Sequence, residues 1–408
     1  MFRGSAFKGV GAWLVAAVAL AALISAVGGN AQGQAEAAGE SAAPATVKFY
    51  PSRDVEFSAP PPFGVLHGTQ CDANGNIYIQ YGSLALESFW ENIRSVHPLD
   101  LPLRKLSIDS QRVVTFQVGS FEDFDTFSSR AFYVTPNGVV YNLAEACRDR
   151  PDTGTHESCV WVVTRYKDDG TVDSAAKLCP PMGKHLYPLK IAAFPDGNLL
   201  AVGTIRDEPG DPTLFAGLFD RSGDLLRELT LASAVGPAPA VTPTPSENPA
   251  AGKPPDGLSD SDRQTAELPA WTRLVMVLVE GRVSGAPDGT VYLLRGRSPQ
   301  KLDVVSSDGS VVPKHDIIPP GGGLTPLDAS VSAQGQLVVY YVHGATPQDS
   351  SRYRVTALID PETGKVISTY DVPPDAGVPA CVTWKGEFLF TRRSNSGHLE
   401  VVGYSPLH

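Results

Sequence analysis

One pattern of apolar and polar positions recurs along the chain. A short apolar stretch leads into a turn of Pro, Asn, Asp and Gly, and an alternating apolar run follows. The copies are CDANGNIYIQYG at 71, VTPNGVVYNLA at 134, FPDGNLLAVGT at 194, APDGTVYLLRG at 286, SAQGQLVVYYVH at 332 and TWKGEFLFTRR at 383. Asn-Gly and Asp-Gly mark tight hairpins, because such turns need a positive φ that glycine adopts without steric cost. The runs after them hold the Val, Ile, Leu, Tyr and Phe that strands favour.

A second turn follows each of the first five copies. These are Asp109-Ser110-Gln111, Asp168-Asp169-Gly170, Arg221-Ser222-Gly223, Ser307-Asp308-Gly309 and Glu362-Thr363-Gly364, each flanked by strand-like runs. Four strands joined by two tight turns make one propeller blade. The lead glycines at 75, 138, 197, 289, 335 and 386 recur at roughly the spacing of a blade of ~40–50 residues plus loops. The wide interval between 197 and 289 contains residues 232–270, rich in Pro, Ala, Ser and Gly, which read as a disordered loop. The pattern therefore predicts an all-β, six-bladed propeller.

The sixth copy has three strands, the last being HLEVVGYS, and an unfilled blade leaves a backbone edge open. The segment TVKFYPSRDVEF (46–57) is expected to complete that blade and close the ring. WTRLVMVLVEGRV (271–283) is longer than one inner strand needs, and reads as an extra strand or an extended edge of the fourth blade.

Composition then sets the compartment. Arg3 and Lys8 precede an uncharged apolar run over residues 9–27, and small residues follow, so residues 1–31 read as an export signal or as an uncleaved anchor. Residues 32–45 form a flexible tail, and 46–408 the propeller. The formal charge is −11, and loss of Arg3 and Lys8 makes the mature part more acidic still, which excludes a phosphate-backbone partner. The five cysteines lack zinc-site spacing. Cys147 and Cys159 bracket a short polar segment and are candidates for a disulfide; the rival pairs one of them with Cys179, and one cysteine must stay unpaired.

The P-[ND]-G-x-[VIL]-[YL] unit and the later D-x-x-G-x-[VL] turn resemble those of the NHL and TolB-like six-bladed propellers. The resemblance covers residues 46–408 apart from the Pro-rich loop, although most copies lack the Asp that NHL repeats carry after the second strand. It implies a superfamily of binding modules, sugar-acid lactonases, amidating lyases and sensor domains, among which fold does not choose.

Chemistry is expected where the innermost strands begin, at the mouth of the central channel. Lys190, Arg282 and Asp328 lie seven residues before their lead glycines. His67 and Arg130 lie eight before theirs and fit with a one-residue bulge, while the sixth blade offers Pro379 and Ala380. The cations suit a carboxylate or phosphate, with Asp328 orienting one of them; the same groups also suit a solvated channel with an internal ion pair. Only Asp328 stands where a calcium cage would need several oxygens, the eight histidines are scattered, and neither a P-loop nor a Gly-x-Ser-x-Gly elbow is present. No cofactor or metal is expected. Residues 83–96 suit a short helix presenting Phe89 and Trp90.

The expected function is that of an exported, monomeric, non-catalytic propeller. It would bind a protein, a peptide or a small anionic ligand through the face carrying the loops at 82–100, 144–158 and 232–270. A hydrolase or lyase acting at the channel mouth is the alternative, and a membrane-tethered sensor domain the third reading.

Overall fold

The computed structural model describes residues 46–57, 66–81, 103–117, 121–124, 126–149, 156–207, 210–231, 281–296, 300–332, 334–343, 354–383 and 385–406. The segments expected to be an export signal (1–31) and a tail (32–45), the segment at 83–96, the loops at 82–100 and 232–270, and residues 271–280 lie outside them. Every regular element among the described residues is a strand, and none of those residues forms a helix long and apolar enough to cross a membrane.

The strands fall into successive antiparallel units, each running from inside outward in chain order. The first holds β2 (Leu66–Cys71), β3 (Ile77–Tyr81), β4 (Leu103–Ser107) and β5 (Arg112–Thr115). The second holds β6 (Thr126–Val134), β7 (Val140–Asp149), β8 (His156–Tyr166) and β9 (Val172–Lys177). In the third are β10 (Lys184–Ala193), β11 (Leu199–Asp207), β12 (Thr213–Phe219) and β13 (Leu225–Glu228). The fourth comprises β14 (Arg282–Gly285), β15 (Val291–Arg295), β16 (Lys301–Val305) and β17 (Val311–Pro313).

The remaining strands form one eight-stranded sheet. It contains β18 (Leu324–Val331), β19 (Leu337–His343), β20 (Arg354–Ile359) and β21 (Val366–Val372), then β1 (Thr46–Phe57), and then β24 (Leu399–Pro406), β23 (Phe388–Arg393) and β22 (Val378–Val382). Residues Phe49–Phe57 of β1 pair antiparallel with β24, as a closing strand should. Its first residues, Thr46–Lys48, also pair parallel with β21, which joins two units into one sheet and was not expected from the sequence. Phe49 is the wedge at this junction. Its ring stacks on Tyr370 at 5.1 Å and meets Phe388 edge-on at 4.8 Å.

The arrangement is that of a propeller. The first strands of the units touch in sequence, β2 to β6, β10, β14, β18 and β22, and β22 returns to β2. The core lies between the units rather than at one centre. Ile77 and Ile79 of β3 pack with Leu389, Leu399 and Val401 across the junction of the chain's two ends, whereas Tyr78 of the same strand packs with Phe132 and Val140 of the next unit. Both faces of β3 are therefore apolar, because both meet a neighbouring sheet. Each fully buried Ile, Leu or Phe contributes ~1.5–3 kcal/mol.

All six lead glycines have positive φ, between 75° and 92°, as the hairpin signals required. The long loop expected at 144–158 is shorter than its sequence suggested. Strand β7 runs to Asp149 and β8 begins at His156, so much of it is an extended hairpin whose polar residues stay paired outside the ring.

Two disulfides punctuate the sheet. Cys147 and Cys159 face each other directly across β7 and β8. Cys71 of β2 joins Cys381 of β22 over a sequence separation of 310, and this bridge was not anticipated. Cys179 is the free cysteine. Two disulfides point to an oxidising compartment.

Candidate functional site

The local geometry of the inner strands decides which side chains meet. In β2, β6, β10 and β18 the register slips by one residue, at His67, Arg130, Leu189 and Leu327 respectively. The sequence had assigned that bulge to His67 and Arg130 alone. With a bulge common to these strands, the residue seven before the lead glycine is the paired one in each, and the residue eight before it is the extra one. Lys190 thus pairs with Val202, Arg282 with Leu294 and Asp328 with Tyr340, all at the same rung of their units.

The bulge in β10 depends on a missing side chain opposite it. Pro188 pairs with Gly203, and a Cβ at Gly203 would sit 2.0 Å from the Tyr187 carbonyl oxygen. No other residue fits against the bulged backbone, so Gly203 is what lets β10 present Lys190 at this rung.

Lys190, Arg282 and Asp328 come together. Arg282 donates from Nε to Asp328 Oδ1 at 2.7 Å and from Nη1 to the Gly281 carbonyl at 3.1 Å. Asp328 Oδ1 also accepts from the Ala329 backbone N–H at 2.8 Å, which fixes the carboxylate. The pair is partly exposed, with side-chain accessibilities of 34% and 23%. Lys190 lies beside it. Burial pulls its ammonium down to about 7; the positive Arg282 pushes the same way and Asp328 opposes both. Its surface is half-buried. Among the described residues no hydrogen bond or ion pair holds its amine.

The opposite side of the ring is small and uncharged. Gly68, Ala131 and Val378 hold the rung that Lys190, Arg282 and Asp328 hold, each paired with the fifth residue after its lead glycine. Val378 is 42% exposed, an unusual position for a strand valine and one that fits a channel wall. One half-ring is charged; the other is nearly without side chains.

The remaining sequence candidates go elsewhere. Arg130, as the bulged residue, turns to its own sheet and donates from Nη2 to Glu145 Oε2 at 2.6 Å on the exposed edge. It does not join the Lys190 group, because a bulge rotates its residue off the shared rung. His67 occupies the equivalent bulge in β2, and its side chain lies outside the described residues. Pro379 pairs with Phe390, and in β22 the slip falls at Ala380 instead.

Glu145 and the sulfurs of Cys147 and Cys159 lie within 4.8 Å of one another. The sulfurs are bonded to each other, so the group offers no thiolates to a metal. Arg295 and Asp303 form a second charged pair, both fully buried, with Nε to Oδ2 at 3.1 Å.

Sequence reasoning missed the Cys71–Cys381 bridge. The signal was there: each cysteine stands just before the lead glycine of the first or the last copy, and closing the ring makes those copies neighbours. It also missed Glu387, which follows the last lead glycine and accepts from both Ser52 and Arg53 of β1.

No protein-family model matches the sequence, and no curated protein is a detectable relative. Solved structures do share its general shape. A protein of unknown function from Dyadobacter fermentans is 10% identical, with 88% of this chain and 99% of that one covered at a TM-score of 0.49. An α-L-arabinanase from Penicillium chrysogenum is also 10% identical, covering 88% of this chain and 98% of its own at 0.42. The PQQ-bound aldose sugar dehydrogenase of Streptomyces coelicolor is 10% identical, at 88% and 100% coverage and a score of 0.40. No residue of this chain takes a role from any of them.

Proposed function

We propose that this chain is a six-bladed propeller of the periplasm or the cell exterior that binds a small anion in its channel, at a rung that lies within the inner strands β10 and β18 rather than at their beginnings, where the sequence had placed it. In this reading the eight-stranded sheet is two blades, fused at their outer edges because β1 pairs with both. Support for the count comes from the six inner strands that touch in turn and from the Cys71–Cys381 bridge between the first and the last.

One observation carries the binding site. Lys190 presents an amine without a hydrogen-bond partner among the described residues, next to an Arg282–Asp328 pair whose charges already offset each other. Protonated Lys190 adds a positive charge beside that pair, which a carboxylate or phosphate oxygen would neutralise. The bare half-ring of Gly68, Ala131 and Val378 leaves room for the rest of such a ligand.

Titration calorimetry of the full chain with lactate, acetate and phosphate tests the reading. At least one should bind, and Lys190→Met should weaken it about tenfold or more, ~1.4 kcal/mol. Binding that is equal in the two proteins would place the anion elsewhere, and no binding in either would remove the site.

A further inference from the structure

The Cys71–Cys381 bridge and strand β1 both join the chain's two ends, and they do so independently. Both cysteines follow β1 in sequence and stand on inner strands, so the bridge closes the ring through β2 and β22 whether or not β1 is in place. What β1 fills is a groove with two strand edges. The edge of β21 takes Thr46–Lys48 in parallel, and that of β24 takes Phe49–Phe57 antiparallel. Along β1 half-buried side chains alternate with exposed ones, and Phe57 alone among those described is fully buried.

Backbone pairing accepts many strands, but the side chains of this groove select one. Arg53 donates to Glu387, and Asp54 lies 3.6 Å from Arg392. Glu56 meets the His398 ring at 2.7 Å and accepts from Ser394. Phe49 fills the space among Tyr370, Phe388 and Tyr404. The groove thus answers the charge order of β1 and its aromatic wedge.

We propose that this groove is also an interface between copies of the chain: β1 of one molecule docks in the groove of a second, which returns its own, giving a strand-exchanged dimer. The occupant is the very segment the groove selects, so exchange keeps every pair of the seam and needs no new surface. A ring without β1 would leave two backbone edges open, which favours uptake of a strand. Residues 58–65 tether β1 to β2, and eight residues span at most about 28 Å. Exchange over that reach requires the two grooves to face each other, as a two-fold dimer places them. A short tether holds β1 at an effective concentration on the order of 1 mM in its own groove, so a second copy competes as the chain concentration approaches that value. The proposal does not involve the anion site.

The test uses the full chain with the free thiol removed by Cys179→Ser. One form carries Tyr50→Cys and another Ser405→Cys, at positions that face each other across β1 and β24. The two are mixed in urea below the main unfolding transition, returned to buffer and treated with a short bis-maleimide. Chains joined between positions 50 and 405 should rise from below about one in a hundred at ~1 µM to about one in ten at ~0.1 mM. Met182→Cys replaces Ser405→Cys as the control, because Met182 is fully exposed on the loop before β10 and away from the seam. A single chain carrying both Tyr50→Cys and Ser405→Cys should couple within itself at ~1 µM. Joined chains that form equally well with Met182→Cys would overturn the proposal. So would their absence at ~0.1 mM while the doubly substituted chain couples within itself. If that chain fails to couple as well, the seam is wrong and the proposal falls with it. Sedimentation of the unsubstituted chain after the same treatment needs no variant: a dimer in a similar share is expected, and a monomer alone would overturn the exchange.

Discussion

Arg53 and Glu387 meet at 2.9 Å, Nε to Oε1, although 334 residues separate them in sequence. Glu387 is nearly buried beside the last lead glycine, and Arg53 stands just past the irregularity in β1 where its pairing with β24 slips. Ser52, the slipped residue, donates to the same oxygen at 2.5 Å. The fault in the strand thus directs two donors at one carboxylate and latches the chain's two ends.

Glu387→Gln should loosen that latch. It removes a nearly buried charge partner and leaves Arg53 with a neutral acceptor. A loss of about 1–3 kcal/mol in urea unfolding is expected. Arg53→Met combined with Glu387→Gln should cost less than the sum of the single changes, because the two groups share one interaction.

The disulfides should differ in weight. Cys71–Cys381 spans a separation of 310 and Cys147–Cys159 one of 12, and a longer closed loop removes more unfolded-state entropy. Cys71→Ala with Cys381→Ala should cost about 2–5 kcal/mol, and the equivalent Cys147 and Cys159 pair of changes less. Thermal unfolding of the two double variants checks the order.

Lys190 gives stability a pH dependence of defined sign. Its folded value near 7 lies below that of an exposed lysine, so the unfolded chain holds the proton more tightly. The destabilisation is full below pH 7, fades as pH rises through the interval up to about 10.5, and is gone above it. Lys190→Met should therefore be more stable than wild type at pH 6 and should lose that advantage by pH 10. Urea midpoints at the two pH values decide it; a pH-independent difference would mean that the amine is not perturbed.

Gly203→Ala should damage the fold and the site together. The added Cβ meets the Tyr187 carbonyl oxygen at 2.0 Å, and a backbone atom in a sheet cannot step aside. A loss of about 2 kcal/mol or more is expected from the displaced bulge. Weaker anion binding by the protein that remains folded would show that the same bulge places the amine.

Much of the strand plan was legible because turn chemistry is local. Gly75, Gly138, Gly197, Gly289, Gly335 and Gly386 announce their hairpins, and the segment at 46–57 pairs with β24, as the missing strand of the sixth copy suggested. Counting back from those glycines also put Lys190, Arg282 and Asp328 on one level. It foresaw the bulge at Arg130 but not those in β10 and β18, because a bulge is a property of two paired backbones and leaves little trace in one strand's sequence. Gly203 is such a trace, and it lies on the partner strand. The pairing of Thr46–Lys48 with β21 was illegible for a similar reason: backbone hydrogen bonds join those strands, and backbone is the same in every sequence.

The seam between β1, β21 and β24 also fixes an order of events. Synthesis delivers β1 before the strands it needs, and some 335 residues pass before Glu387 follows Ser52. Throughout that interval the first strand has an unpaired edge and nowhere to dock, a state prone to mispairing. Pairing of β1 with β24 is therefore a late event in folding, because it waits for strands that lie far along the chain.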